Sequence, residues 1–356
     1  MNCLKNITHT TIPNDCVMDY LKIYKSIGMN THNYEVLSPD YQAMNSQITS
    51  LDTYYFAKIF DLDITDSRLK SLIYKEVLPK NKNEQFIVNL KQAIIKIHLE
   101  TDTFELFTNE IYDLYRFLYK NVLNDSKLQF RKMENKKKNR TFLSSKYVNK
   151  REELEDLIKE FKNVIDSTTY ESSFVILNFY IDLINIKPFV EMNDEIALVV
   201  LYILLLSNGY ESYYFVSFMQ LLHENKDTFK KIVLTASFNW EEGFSQLLPL
   251  HRFFNKLSLK SFEILNEIIR DYNFDKQLNK SNNIENTINK LDEIFTKDEI
   301  RIQHPFISDS TINRTLKRMR DDDLIRPLGK GRSAKWIKLY KRENKNKLFE
   351  QLNLKI

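Results

Sequence analysis

Two stretches of this chain carry residue types at spacings that could do chemistry. The first reads Asn185-Ile186-Lys187-Pro188-Phe189-Val190-Glu191-Met192-Asn193-Asp194-Glu195 and runs into an apolar segment, residues 196–206, closed by Asn208-Gly209. An apolar run with that ending is a helix. Its first turn then offers unpaired N–H groups and the positive end of the helix dipole, a natural seat for phosphate. The residues supplied there are Glu191, Asp194 and Glu195 against a single cation, Lys187. An ordinary lysine, with a pKa of about 10.4, stays charged at neutral pH and cannot accept a proton. In the second stretch, Ser308 opens a helix with Ile312, Leu316 and Met319 on one face. The other face carries Asn313, Arg314, Lys317, Arg318 and Arg320. Such a helix fits the major groove of duplex DNA, and its cations neutralise phosphates. Ser310, Asn313, Arg314, Lys317 and Arg318 are the candidate contacts, joined by Lys330, Arg332 and Lys335 from the following segment. Asp309, at the start of the same helix, would repel phosphate.

No other catalytic constellation is present. The six histidines stand singly, and His98 and His251 fall within helical patterns, as structural residues do. Cys3 and Cys16 are the only cysteines and are not at zinc spacing, which fits a reducing compartment. Lys136, Lys137 and Lys138 form a charge run in a polar stretch and read as a solvated loop tip. The net charge of +4 does not by itself imply nucleic acid. The start, MNCLKNITHT, lacks the apolar region of a signal peptide, and no apolar run approaches the roughly 20 residues of a membrane span. A cytoplasmic location follows as the expectation.

The elements that must position these residues are mostly helices, since Gly 5 and Pro 7 in 356 residues leave few breaks. Residues 1–40 read as irregular, broken at Pro13, Gly28 and Pro39. A helix over 40–60 would bury Met44, Ile48, Leu51 and Tyr55. Helices follow over 69–78, 83–101, 107–122, 151–165, 170–186, 194–207, 217–237, 240–257 and 262–272, then a polar linker over 273–280. Helices over 284–295 and from Thr296 come next, the second opened by a capping box, Thr296 with Glu299. After the basic helix, two short strands flank a Gly329-Lys330-Gly331-Arg332 tip.

Helix, turn, helix and a glycine-rich hairpin with basic tips resemble the winged helix-turn-helix family over about 60 residues. The middle of the chain resembles the Fic (filamentation induced by cAMP) family. Its motif H-P-F-x-(D/E)-G-N-G-R-x-x-R is similar to residues 187–198, and its L-L-L-x-N-G-Y ending to Leu204-Leu205-Leu206-Ser207-Asn208-Gly209-Tyr210. Phe130-Arg131 and Tyr147-Val148 fall where the family begins and ends its target-clamping hairpin. Ala43-Met44-Asn45-Ser46-Gln47-Ile48-Thr49-Ser50 resembles the family's inhibitory S-x-I-E-G helix, with Ser46 at the serine and Thr49 at the glutamate.

The resemblance implies a mostly α fold: a Fic-like helical core with a small β-hairpin flap, plus a C-terminal winged helix. The expected divisions are an N-terminal helical segment over 1–85, a core over 86–272, the linker, a winged helix over 281–345 and a tail over 346–356. Relatives move AMP from ATP to protein hydroxyls, using a histidine base, a metal on the acidic residue, glycines at the phosphates and two arginines. Position by position, Lys187 replaces the histidine, Met192 and Asp194 the glycines, Glu195 and Leu198 the arginines. Pro188, Phe189, Asn193 and Glu191 are kept, and Glu191 could still hold a metal. The expectation is a DNA-binding regulator with a degenerate Fic site and no cofactor. A divergent Fic-type transferase using ATP and magnesium, or a protein-interaction adaptor, are the alternatives. Duplex DNA, a second copy of the chain and a protein partner at the core are the candidate partners. Residues 187–198 could also be the helix start of an unrelated domain, with Glu191, Asp194 and Glu195 as ordinary first-turn acids.

Overall fold

The longest apolar runs set the centre of the structure, a computed structural model describing residues 3–75, 77–133, 148–277, 280–304, 307–329 and 335–339. Helix α8 (Ser172–Ile186) is apolar all round and is buried along nearly its whole length, and in α9 (Asn193–Leu206) every residue from Ile196 onward is buried. A helix with no polar stripe has no solvent face, so the others wrap these two. They are α1 (Asn14–Ile27), α2 (Asn30–Leu37), α3 (Tyr41–Ile59), α4 (Asp66–Lys75), α5 (Lys82–Glu100), α6 (Thr108–Tyr119), α7 (Lys150–Asp166), α10 (Phe218–Glu224), α11 (Lys226–Ser237) and α12 (Leu248–Gln277). Between α6 and α7 lies an antiparallel hairpin of β1 (Lys132–Met133) and β2 (Val148–Asn149). Among the described residues no helix is long and apolar enough to cross a membrane.

Contacts divide the chain into two units, Met1–Glu35 with Asn45–Asn266, and Val36–Met44 with Glu267–Ile356. Most of the expected segments 1–85 and 86–272 thus fall in one unit. Within it, the first residues are not irregular. A 3-10 turn (Leu4–His9), α1 and α2 occupy them, and Pro13 and Gly28 are helix ends rather than breaks. The period was masked because α1 buries only Cys16, Tyr20 and Ile23 and leaves Val17, Met18 and Leu21 outside. The start of the chain is held by Asp182 of α8, which accepts from the N–H of Cys3 (2.6 Å) and Leu4 (3.0 Å) and from Trp240 Nε1 (2.6 Å). Gly209, at φ +89°, ends the turn after α9; a Cβ there would lie 3.1 Å from Ile27 Cγ2, so glycine permits that approach.

Helix α3 forms as expected but turns a different face inward. It buries Asn45, Thr49, Asp52 and Thr53 together with Ile48 and Phe56, while Met44, Leu51 and Tyr55 are only partly covered. The polar residues are admitted because they have partners. Asn45 Nδ2 meets His98 Nδ1 at 2.7 Å, His98 Nε2 meets the Tyr202 hydroxyl at 2.6 Å, and that hydroxyl donates to Asp52 at 3.0 Å. Asp52 also accepts from Ser217 Oγ (2.6 Å) and Met219 N–H (3.0 Å). Burial lowers His98 to about 3 and raises Asp52 to about 7.

The second unit holds α13 (Lys280–Lys290), β3 (Ile294–Thr296), α14 (Lys297–Gln303), α15 (Asp309–Asp321), β4 (Ile325–Pro327) and β5 (Lys335–Lys338). The strands form an antiparallel sheet in the order β3-β5-β4. Ile284, Ile288, Phe295, Ile300, Ile312 and Leu316 share its core. The capping box of Thr296 and Glu299 is present, and Ser308 caps α15 as expected. Two expectations are corrected. Phe295 is a strand residue paired with Trp336, since tertiary pairing overrides the helical period there. The linker over 273–280 is helical through Gln277, because no glycine or proline follows Tyr272 to stop α12.

Candidate functional site

The turn joining α8 to α9 gathers the first candidate residues. Lys187 ends α8 in the left-handed region (φ +48°) with its side chain exposed. Pro188 and Phe189 then leave along a short antiparallel pairing with the segment before β1. Arg131 N–H donates to the Pro188 carbonyl (2.8 Å), Val190 N–H donates to the Gln129 carbonyl (3.3 Å), and Phe130 bridges Phe189. Phe189 is fully buried, its ring stacked on Tyr115 at 4.0 Å. Asn193 clamps this turn, accepting from Phe189 N–H (2.8 Å) and donating to the Phe189 carbonyl (3.0 Å). Phe189 and Asn193 therefore hold the shape of the turn.

Met192 caps α9 with φ +58°, a backbone geometry that glycine adopts freely and a side chain resists. It places no side-chain cap on the first turn of α9. That turn is filled with acid instead. Glu195 is half-buried and bonds back to its own N–H; burial raises its carboxyl, with Asp194 adding to the rise. Leu198 is fully buried. Glu191, the candidate metal ligand, is paired with Lys127, Nζ to Oε1 2.5 Å. Among the described residues no group of three or more His, Cys, Asp or Glu could hold a metal.

Lys127 was not visible as a site residue from the sequence, being 64 positions from its partner. Arg131 was seen only as a hairpin end; its guanidinium donates to the Ile186 carbonyl (3.1 Å) and lies beside Lys187 at the negative end of α8. Ser46 is exposed and Thr49 Oγ1 turns back to the Ser46 carbonyl at 3.1 Å. The residues flanking Thr49 are anchored on His98 and Asp52's partner Tyr202, one helical turn beyond Leu198.

No family model matches the chain, and no curated protein matches it significantly. Solved structures do. A Fic family protein from Desulfovibrio desulfuricans aligns over 93% of this chain and 98% of its own, with a TM-score of 0.50 at 12% identity. The chain has the Fic fold. A Fic domain-containing signaling protein from Bacteroides thetaiotaomicron aligns over 69% of this chain and 98% of its own (TM-score 0.53, 15% identity). Fic-1 from C. elegans aligns over 70% of this chain and 72% of its own (TM-score 0.53, 13% identity). At these identities the likeness concerns the fold, so the chemistry must be argued from this chain's residues.

The second candidate surface is α15. Ser310, Asn313, Arg314 and Lys317 lie on one exposed face, opposite buried Ile312, Leu316 and Met319. Among the described residues no carboxylate lies within ion-pair reach of Arg314 or Lys317. Arg318 differs: it is ion-paired with Glu285 of α13, which takes it out of the free set. Arg320 is paired with its neighbour Asp321 at 2.8 Å. The objection raised by Asp309 is met by Arg301, whose Nε donates to it at 2.7 Å and whose Nη2 grips its other oxygen. Lys335 on β5 and Arg326 on β4 are exposed, and Arg326 was missed because nothing in its spacing marks it. Lys330 and Arg332, like Lys136, Lys137, Lys138, Tyr147 and the tail over 346–356, lie outside the described residues.

Proposed function

We propose that the chain is a DNA-binding regulatory protein whose Fic-fold core does not transfer nucleotides. The observation that carries the DNA half is the exposed basic face of α15, where Arg314 and Lys317 meet no carboxylate among the described residues, within a module whose element order is that of a winged helix. A helix of this size enters the major groove, where Asn313 reaches base edges while Arg314, Lys317 and Lys335 meet phosphates. The core half rests on the α8–α9 turn. Its acid is neutralised by Lys127, its arginine positions are Glu195 and buried Leu198, and its base position is Lys187. The core then serves as scaffold or partner surface, in a cytoplasmic protein without cofactor.

Gel-shift or anisotropy titration of the full chain against duplex DNA tests this. Binding is expected to weaken as salt rises, and Arg314→Ala with Lys317→Ala to lower the salt slope by roughly two. No binding at low salt leaves the adaptor reading in its place. One observation favours the transferase alternative: Met192 places no side-chain cap on the first turn of α9, where a phosphate would sit. Labelled ATP with magnesium and a cell lysate decides it, since labelling abolished by Glu191→Ala would make the core an enzyme.

A further inference from the structure

Where the start of α5 meets the end of α6, an open cleft of about 730 Å³ runs along the loop that follows α6. Lys82, Arg116 and Lys120 line it, against one acid, Asp125. All three cations are exposed, and among the described residues no carboxylate lies within ion-pair reach of them. Elsewhere on this unit Lys127, Arg151, Lys226 and Arg252 each hold an acid. Lys82 also stands in the first turn of α5, where the helix dipole opposes a cation and favours an anion.

The walls of the cleft are fixed from inside the fold. Buried Asn89 donates its side-chain amide to the Leu118 and Lys120 carbonyls, both at 2.9 Å. The Tyr119 carbonyl accepts from the N–H groups of Val122 (3.0 Å) and Leu123 (3.1 Å). These bonds take up carbonyls at the negative end of α6, which would otherwise oppose an anion. The rest of the lining selects among anions. Phe117, 39% exposed, with half-buried Leu123 and Leu128, gives the cleft apolar ground. Asn121 and Asn124 each offer a donor and an acceptor, and Asp125 offers acceptors alone. A peptide carries N–H groups for those acceptors, whereas a phosphodiester backbone has none and Asp125 would repel it. With its lining side chains mostly exposed, the cleft cannot enclose a small molecule, which a ligand pocket buries by roughly 70–90% of its surface.

We propose that this cleft docks an acidic segment of a partner protein, an extended peptide whose carboxylates meet Lys82, Arg116 and Lys120 and whose apolar side chain rests on Phe117. The inference names a partner for the core and rests on the reading of that core as a partner surface. It stands apart from DNA binding by α15, which belongs to the other unit. Exposed charges of this kind steer encounter and set its salt dependence.

A phage-displayed library of short random peptides, selected on the full chain, reads it out. The enriched sequences should carry several Asp or Glu residues around an aromatic residue or leucine. The consensus peptide, labelled and titrated by anisotropy, should bind more weakly as salt rises. Lys82→Glu with Lys120→Glu should lower its affinity roughly tenfold or more. Lys82→Glu alone should lower it too, and leaves the fold intact because an acid suits the first turn of a helix. Phe117→Ala should weaken the peptide without changing its salt dependence. Arg314→Ala with Lys317→Ala should leave its affinity unchanged. Selection without acidic enrichment overturns the proposal. So does a consensus peptide that binds the Lys82→Glu, Lys120→Glu chain as tightly as the wild type, or one that needs Arg314 and Lys317. A single-stranded oligonucleotide of equal charge that displaces the peptide at lower concentration overturns it as well, making the cleft a nucleic-acid groove. Labelling in the ATP assay would overturn the reading of the core but leave these titrations as they are, so the two fail separately.

Discussion

Replacing Asp52 by asparagine should remove most of one component of the core's pH dependence. Asp52 is fully buried, and burial raises its carboxyl from about 3.8 to about 7, against the lowering pull of Ser217, Met219 N–H and Tyr202. The fold therefore favours its protonated form. The stability this lends is complete below about pH 4 and is lost as pH rises through about 7, a total of about 4 kcal/mol for three units. His98 and His251 work in the opposite sense. Burial lowers both to about 3, so the folded chain refuses a proton that the unfolded chain accepts below about pH 6.5. Their contribution is lost as pH falls and offsets Asp52 between about pH 4 and 6.5. Asparagine can keep the geometry. Its oxygen accepts from Ser217 and Met219, and its amide donates to Tyr202, whose hydroxyl turns to the Tyr213 carbonyl at 3.3 Å. Denaturant unfolding of both proteins, followed by the fluorescence of the buried tyrosines, measures the difference. The variant should gain on the wild type by roughly 2.5 kcal/mol between about pH 5 and about pH 8. Parallel stability curves across that window would refute the reasoning.

Leu198→Arg, which restores an arginine to the motif, should destabilise the core by roughly 3 kcal/mol or more, because it buries an unpaired charge; a wild-type melting curve would contradict this. Lys187→His should leave nucleotide transfer at background, and calorimetry of the wild type should show no ATP affinity tighter than about millimolar with or without magnesium; micromolar heats would count against it. Arg301→Ala should weaken DNA binding although Arg301 lies off the α15 face, because it removes the guanidinium that neutralises Asp309 most closely and leaves Lys297 at 4.0 Å; unchanged affinity at low salt would show that Asp309 is remote from the DNA. Ile312→Ala should cost the C-terminal module about 2–5 kcal/mol, read as earlier proteolysis of that module.

Much of the architecture was legible from local pattern. The apolar runs of α8 and α9, the capping box at Thr296, the cap at Ser308 and the inward row Ile312, Leu316 and Met319 are local facts that sequence spacing records. The likeness of residues 187–198 to the Fic motif was also legible, and the fold agrees with it. Less legible were α1 and α2, whose few inward residues are diluted by apolar residues facing outward. In α3 the rule that burial follows hydrophobicity gave the wrong face, because Asn45 and Asp52 are buried on the strength of partners from α5, α9 and the start of α10.

The sequence by itself determined that the chain is mostly helical, where the caps at Thr296 and Ser308 lie and which residue types stand at the α8–α9 turn, since propensity, capping and period act over a few residues. Only the tertiary structure decided which charges remain free. Glu191 is taken by Lys127, Arg318 by Glu285 and Asp309 by Arg301, while Arg314 and Lys317 find no carboxylate among the described residues. Ion pairs depend on distance in space, and a chain folded on long helices brings together residues whose separation along the sequence carries no trace of that distance.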